Sequence, residues 1–170
     1  NSEDTGWRER HPEQPFFGLI NFFETHESGV MRPSGLPHSA AHLATQLARL
    51  NLVAPQVTDP KKVSLPPYYP DIKSVRSDLA RHYDNIALMD TRVGHILSAL
   101  KEDGLLENTV IIWTADHGDG LPRAKRELFD SGIKVPFIMR VPCKGNEDCG
   151  GTNDGRLVSF VDIAPTLLSL

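Results

Sequence analysis

The sequence predicts an α/β fold, a mostly parallel sheet flanked by helices, and three observations carry that prediction. Short, almost wholly apolar runs of strand length occur at residues 16–23, 109–114 and 135–140, as expected of strands buried on both faces. Between the first and second lies a long stretch with apolar residues every three or four positions, the period of an amphipathic helix. Strands alternating with helices through short connections form layered α/β domains.

Composition bounds what such a domain does. The 170 residues (18.8 kDa) suffice for one core and are too few for two independent ones. With 39% hydrophobic and 24% charged residues and a mean hydropathy of -0.29, the chain has neither a disordered nor a membrane-embedded composition. Eighteen basic against 22 acidic side chains give a net charge of -4. No basic stripe appears that could neutralise many phosphates, so nucleic-acid binding is excluded as the leading function. The longest apolar runs fall far short of the roughly 20 residues that span a bilayer. The chain opens at Asn1 without a signal-like core and closes at Leu170 within a helical pattern, as an internal piece of a longer protein would.

Taken in order, residues 1–14 are polar, and Pro15 leads into the apolar run 16–23, in which Phe16, Phe17, Phe22 and Phe23 are expected in the core. Prolines at 33, 37, 55, 60, 66, 67 and 70 then limit residues 24–70 to one short helix near 40–50. A long irregular segment of this kind suits an excursion over a site. Asp71 or Ser74 can cap the next helix, whose face is Ile72, Val75, Leu79, Tyr83, Ile86, Met89, Val93, Ile96 and Leu100. Gly104 supplies its stop. Strands at 109–114 and 135–140 follow, then an apolar stretch at 157–161 and a closing helix from Asp162 or Ala164. Cys143 and Cys149 flank a polar loop, where a small disulfide hairpin and two unpaired thiols both remain open. Two sulfurs with no nearby histidine make a poor zinc site.

In open α/β sheets ligands gather at the carboxyl ends of strands, and three polar segments stand there. The first is Glu24-Thr25-His26-Glu27-Ser28; the second is Asp116-His117-Gly118-Asp119-Gly120; the third holds Lys125 and Arg126. Neighbouring side chains of a strand point to opposite faces, so Asp116 and His117 converge on one ion only where the backbone has left the strand, a bend that Gly118 and Gly120 permit. A carboxylate beside an imidazole can ligate a divalent metal, and Asp116 can equally cap its own loop. His26 can donate a proton to a leaving group or close a strand end by a hydrogen bond. From residue type alone Lys125 and Arg126 are surface charges. His11, His38, His42, His82 and His95 have no supporting context.

The order of motifs adds a resemblance. Pro15-Phe16-Phe17 with His26 beyond it, Tyr83 with Asn85 to Asp90 and Val93-Gly94, and Leu105-Leu106-Glu107-Asn108-Thr109 running on through Asp116-His117-Gly118 come first. They are followed by Lys125, Leu128-Phe129-Asp130-Ser131-Gly132, Val135-Pro136 and Val161-Asp162-Ile163-Ala164-Pro165-Thr166. This series resembles the sulfatase family of the alkaline-phosphatase superfamily, over most of residues 15–170.

The resemblance implies an alkaline-phosphatase-like fold, with residues 1–170 forming the central to C-terminal part of one catalytic domain. It implies metal-assisted hydrolysis of sulfate esters or sulfamates on a sulfated small molecule or glycan, in a secreted, periplasmic or lysosomal protein. Asp116 matches the metal-binding aspartate and His117 the adjacent ligand. Lys125 matches the lysine that holds the sulfate, and His26 the histidine beside the leaving group. The implied ion is Ca²⁺, although an imidazole ligand suits Mn²⁺ or Zn²⁺ as well. The family's nucleophile is a formylglycine made from Cys or Ser in a C-x-[PAS]-x-R type signature, and neither Cys143 nor Cys149 lies in one. The paired aspartates of the family's first strand are also missing. Two other functions fit the same motifs: a phosphodiesterase or phosphonate hydrolase of the superfamily, and a non-catalytic remnant that binds a sulfated ligand.

Overall fold

The computed structural model describes residues 6–30, 57–143 and 151–170. The helix expected near residues 40–50, the prolines at 33, 37 and 55, and Cys149 lie outside the described residues. Cys143 is disulfide-bonded, which sets aside the unpaired-thiol alternative.

A 3-10 turn at Trp7–Glu9 precedes helix α1 (Glu27–Val30), and a second one at Pro60–Lys62 precedes the long helix α2 (Lys73–Glu102). After a 3-10 turn at Leu106–Asn108 come strand β1 (Ile111–Thr114), the single-turn helix α3 (Asp130–Ile133), strand β2 (Phe137–Arg140), a 3-10 turn at Phe160–Asp162 and helix α4 (Ile163–Ser169).

Helix α2 is the scaffold. Neither expected cap operates at its start: Ile72 holds the N-cap position without a side-chain cap. Asp71 instead grips Arg76, at 2.5 Å to Nε and 2.8 Å to Nη2, since a bidentate guanidinium partner outbids a neutral N–H. Arg76 also donates to the carbonyls of Pro60 and Val63. The stop is as expected. Gly104 adopts φ 68° and donates to the Lys101 carbonyl, while Leu105 donates to that of Leu100, the paired bonds of a Schellman turn.

The inward face of α2 departs from its apolar pattern. Leu79, Met89 and Leu100 are buried, but Tyr83 and Ile86 are 41% and 38% exposed, and His82, Asp84 and Asn85 turn inward in their stead. Such polar burial requires partners. Asp84 finds them in the backbone N–H groups of Val57 and Thr58, each at 3.1 Å, and in the Thr58 hydroxyl. The core itself is Val30, Val63, Leu79, Ala80 and Leu121, with Leu65 and Tyr69 packed on it. It joins α1, the 57–70 segment and the loop after β1 to one side of α2.

Both predicted strands of the second half form, and they pair antiparallel, Ile111 opposite Arg140 and Thr114 opposite Phe137. A parallel pair needs a crossover long enough to carry the chain back along the sheet. The only helix between these strands has four residues, so the chain returns beside β1 in the opposite sense. No parallel pairing occurs among the described residues.

Residues 16–23 correct the sequence reading, because they form no strand. Phe17, Leu19 and Phe23 are 85%, 70% and 64% exposed. A run apolar on both faces needs cover on both faces and a ladder partner, and the described residues supply neither; Phe16 is met by the Trp7 ring at 6.0 Å and the Arg10 guanidinium at 5.6 Å. Residues 157–161 are likewise exposed and end in the 3-10 turn Phe160–Asp162, where Ser159 N–H donates to the Asp162 carboxylate at 2.7 Å just before α4. No helix among the described residues is long and apolar enough to cross a membrane.

The Asp84 clamp yields a stability prediction. Asp84→Ala leaves two backbone N–H groups without their acceptor and should cost about 2–4 kcal/mol in chemical denaturation. A loss below about 0.5 kcal/mol would show that residues 57 and 58 are held by something else.

Candidate functional site

The site is built on the loop from residue 115 to 127 that leaves β1. Its folding is specified by close approaches. Gly118 N–H donates to the Gly132 carbonyl at 2.9 Å and Lys125 N–H to the Asp119 carbonyl at 3.0 Å, which draws the loop into a compact bend. At Gly120 a Cβ would stand 2.4 Å from the Glu27 Cα, so only glycine lets the loop lie against α1. Arg123 and Arg126 hold φ values of 66° and 73°. Non-glycine residues adopt that region at a cost that packing must offset, and such residues cluster at functional sites.

That packing brings three predicted segments together. Glu27, directly after His26, receives Arg126 bidentately at 3.0 and 2.8 Å, and Lys125 Nζ lies 3.7 Å from its Oε1. Hydrogen bonding from Arg126 holds the Glu27 carboxyl at about 2, well below its ordinary 4.5; burial opposes this, while the charges of Lys125, Arg126 and His26 reinforce it. Two cations around one carboxylate leave the cluster a net positive charge. His26 is exposed, and its carbonyl accepts the N–H of Gly29 at 2.8 Å.

Asp116 and His117 stand at the loop's beginning. His117 Nδ1 lies 2.7 Å from the Gly118 carbonyl. A carbonyl only accepts, so Nδ1 is the donor in this contact. Nε2 in turn lies 3.5 Å from Asp116 Oδ2. A separation of 3.5 Å is one that two ligands reach when each lies about 2.0–2.5 Å from one ion, and it equally suits a direct contact between a protonated imidazole and the carboxylate. The pair therefore fits a divalent metal in part, with one oxygen and one nitrogen donor. No group of three or more His, Cys, Asp or Glu side chains suited to a metal occurs among the described residues.

Asp116 and His117 line an open cleft of about 400 Å³ together with Arg126, Leu128, Ile133 and Phe160. Arg126 thus links the two halves of the site, reaching Glu27 on one side and the cleft on the other. Behind the loop, His82 is buried with Nε2 3.6 Å from Asp119 Oδ2. Burial pushes this imidazole down, against the pull of the Asp119 charge. The Tyr69 hydroxyl donates to the Pro122 carbonyl at 2.7 Å, and burial with the nearby Asp119 charge pushes its phenol up to about 12. Glu24 is buried and ion-paired with Arg92.

Sequence reasoning missed Glu27 and Arg126 as members of the site. Their adjacency to His26 and Lys125 was the available signal. It had no signal for His82 with Asp119, which are brought together only by the packing of the loop on α2.

The Sulfatase family model matches residues 5–170. The chain belongs to the sulfatase family. Its membership implies an alkaline-phosphatase-like α/β fold, and sulfatases generally use a divalent metal and act on sulfated substrates. The chain is 40% identical to an ulvan-active sulfatase of Formosa agariphila over 96% of its own length and 30% of that protein's. It is 28% identical to the N-sulphoglucosamine sulphohydrolase of Homo sapiens over 92% and 31% respectively. With arylsulfatase K of Canis lupus familiaris it shares 32% identity over 59% of this chain and 18% of that one. The chain thus spans less than a third of the length of these relatives. No solved structure matches it.

The Glu27 cluster predicts a pH dependence. A carboxyl at about 2 when folded and near 4.5 when not adds stability that is complete above the higher value and is lost as pH falls toward the lower. Unfolding midpoints measured across this window should fall more steeply for the parent than for Glu27→Gln. Parallel curves would mean that the Arg126 and Lys125 contacts do not contribute to folding.

Proposed function

We propose that residues 1–170 form part of the catalytic domain of a hydrolase of sulfate esters or sulfamates acting on sulfated glycans. The observation that carries this reading is the meeting of Lys125 with the His26–Glu27 turn, on the same loop that sets Asp116 and His117 3.5 Å apart at the cleft mouth. The glycan class is supported by two relatives whose names specify ulvan and N-sulphoglucosamine.

In this reading Asp116 and His117 hold a divalent cation, Ca²⁺ by family and Mn²⁺ or Zn²⁺ as the alternatives that an imidazole tolerates. When bound, that ion neutralises charge on the sulfate. Lys125 supplies a second positive charge, at its ammonium, where the sulfate oxygens gain electron density in the transition state. Glu27 restrains Lys125 and Arg126, so that the surplus positive charge is already in place before substrate arrives. His26 gives a proton to the departing oxygen or nitrogen, which would otherwise leave as a poor anion. No C-x-[PAS]-x-R type signature surrounds Cys143 or Cys149, so the nucleophile is supplied from outside these residues.

The roles separate by experiment in the complete protein. Asp116→Asn removes the charge that a hard cation requires, and metal content and turnover should fall together. Lys125→Ala should leave metal content intact and cost about 2–4 kcal/mol in kcat/KM, as for a lost charge-stabilising donor. Elemental analysis beside sulfate-release assays reads both. Equal metal in Asp116→Asn and parent would make Asp116 a loop cap, and unchanged turnover in Lys125→Ala would remove the sulfate-binding role.

A further inference from the structure

A second cleft, of about 370 Å³, is bounded by Tyr68, Arg123, Phe129, Asp130 and Ser131, and so shares the 123–133 stretch of chain with the first. We propose that it is a saccharide subsite, in which Arg123 receives a carboxylate or sulfate group on a sugar next to the one being desulfated. The saccharide assignment rests on the sulfatase reading; the anion assignment stands on the geometry of Arg123.

That geometry is unusual for a surface arginine. The Arg123 guanidinium lies over the Tyr68 ring at 4.7 Å and over the Phe129 ring at 4.1 Å. Two aromatic faces hold it by cation–π attraction and restrict the rotamer freedom that an exposed arginine keeps. Its backbone is held as firmly. At φ 66° it sits in the left-handed region, and its carbonyl accepts the Ser131 hydroxyl at 2.5 Å while the preceding carbonyl, of Pro122, accepts Tyr69. Among the described residues the guanidinium has no carboxylate partner, unlike Arg8, Arg76, Arg92, Arg126, Arg140 and Arg156, each of which is ion-paired.

A guanidinium covered on its faces still presents its five N–H donors around its edge, the fork that matches a carboxylate or sulfate. A strained backbone, two locked carbonyls and two rings around one cation that makes no ion pair among the described residues are the features of a receptor set in advance. Asp130 and Ser131 narrow the ligand further. The Asp130 carboxylate repels a bare dianion but accepts hydrogen bonds from hydroxyls, so a sugar carrying one anionic group fits better than inorganic sulfate.

Calorimetric titration of the complete protein tests this with three probes: tetragalacturonic acid for carboxylates, a uronate-free carrageenan tetrasaccharide for sulfates, and neutral maltotetraose. One anionic probe should bind and maltotetraose should not, and the one that binds identifies the group. Arg123→Gln should weaken that binding by about tenfold or more, as for a lost charge-assisted pair, while Arg156→Gln, at an exposed arginine that lines neither cleft, retains it. If Arg123→Gln does not fold, Arg123→Lys keeps a charge near the rings and removes the fork, and should still weaken binding several-fold. Unchanged affinity in whichever variant folds, equal binding of maltotetraose, or binding of no anionic probe overturns the subsite. Binding that depends on Arg123 in a protein that releases no sulfate would sink the catalytic reading and leave the subsite standing.

Discussion

The carboxylate of Glu27 is the interaction on which the site depends. It is the point where helix α1, carrying His26 at its threshold, meets the loop that carries Lys125 and Arg126. Neither partner has regular structure of any length to fix it: α1 has four residues and the loop has none. A single turn of helix is unstable by itself, so its orientation is set by what it touches. Here that is a bidentate guanidinium at the side-chain level and the Gly120 backbone beneath.

Helix α2 supplies the frame for this arrangement by an unusual division of labour. Its apolar residues bury only part of the face they define, while Arg76, His82 and Asp84 reach the surrounding loops. Apolar contact tolerates sliding, whereas hydrogen bonds to named backbone atoms do not. Loops that must present side chains at fixed positions gain more from the second kind of contact.

Local pattern revealed much of this in advance. The period of Leu79, Met89 and Leu100 and the glycine at 104 located α2 and its end, and the apolar runs located β1 and β2. Periodicity could not reveal that Tyr83 and Ile86 stay half in solvent, because it reports amphipathicity and not the neighbours available to cover it. The same limit explains residues 16–23, whose composition is that of a buried strand but whose exposure depends on ladder partners that a single segment cannot encode. Lys125 and His26 were legible as candidates through motif order. The carboxylate between them was legible only as one more charge in a polar run, since its role arises from a contact across nearly a hundred residues. Arg123 carried no signal at all, as cation–π geometry leaves no spacing rule in sequence.

The exposed run at residues 16–23 has a practical consequence. From Phe16 to Phe23 it contains no charge and no proline and is rich in aromatic and branched side chains, the composition of segments that stack between chains as intermolecular β-structure. Its large apolar side chains face solvent without a strand beside them among the described residues. This segment is therefore a point of self-association: association rises with concentration and with added kosmotropic salt, and one charged residue placed within the run acts as a gatekeeper.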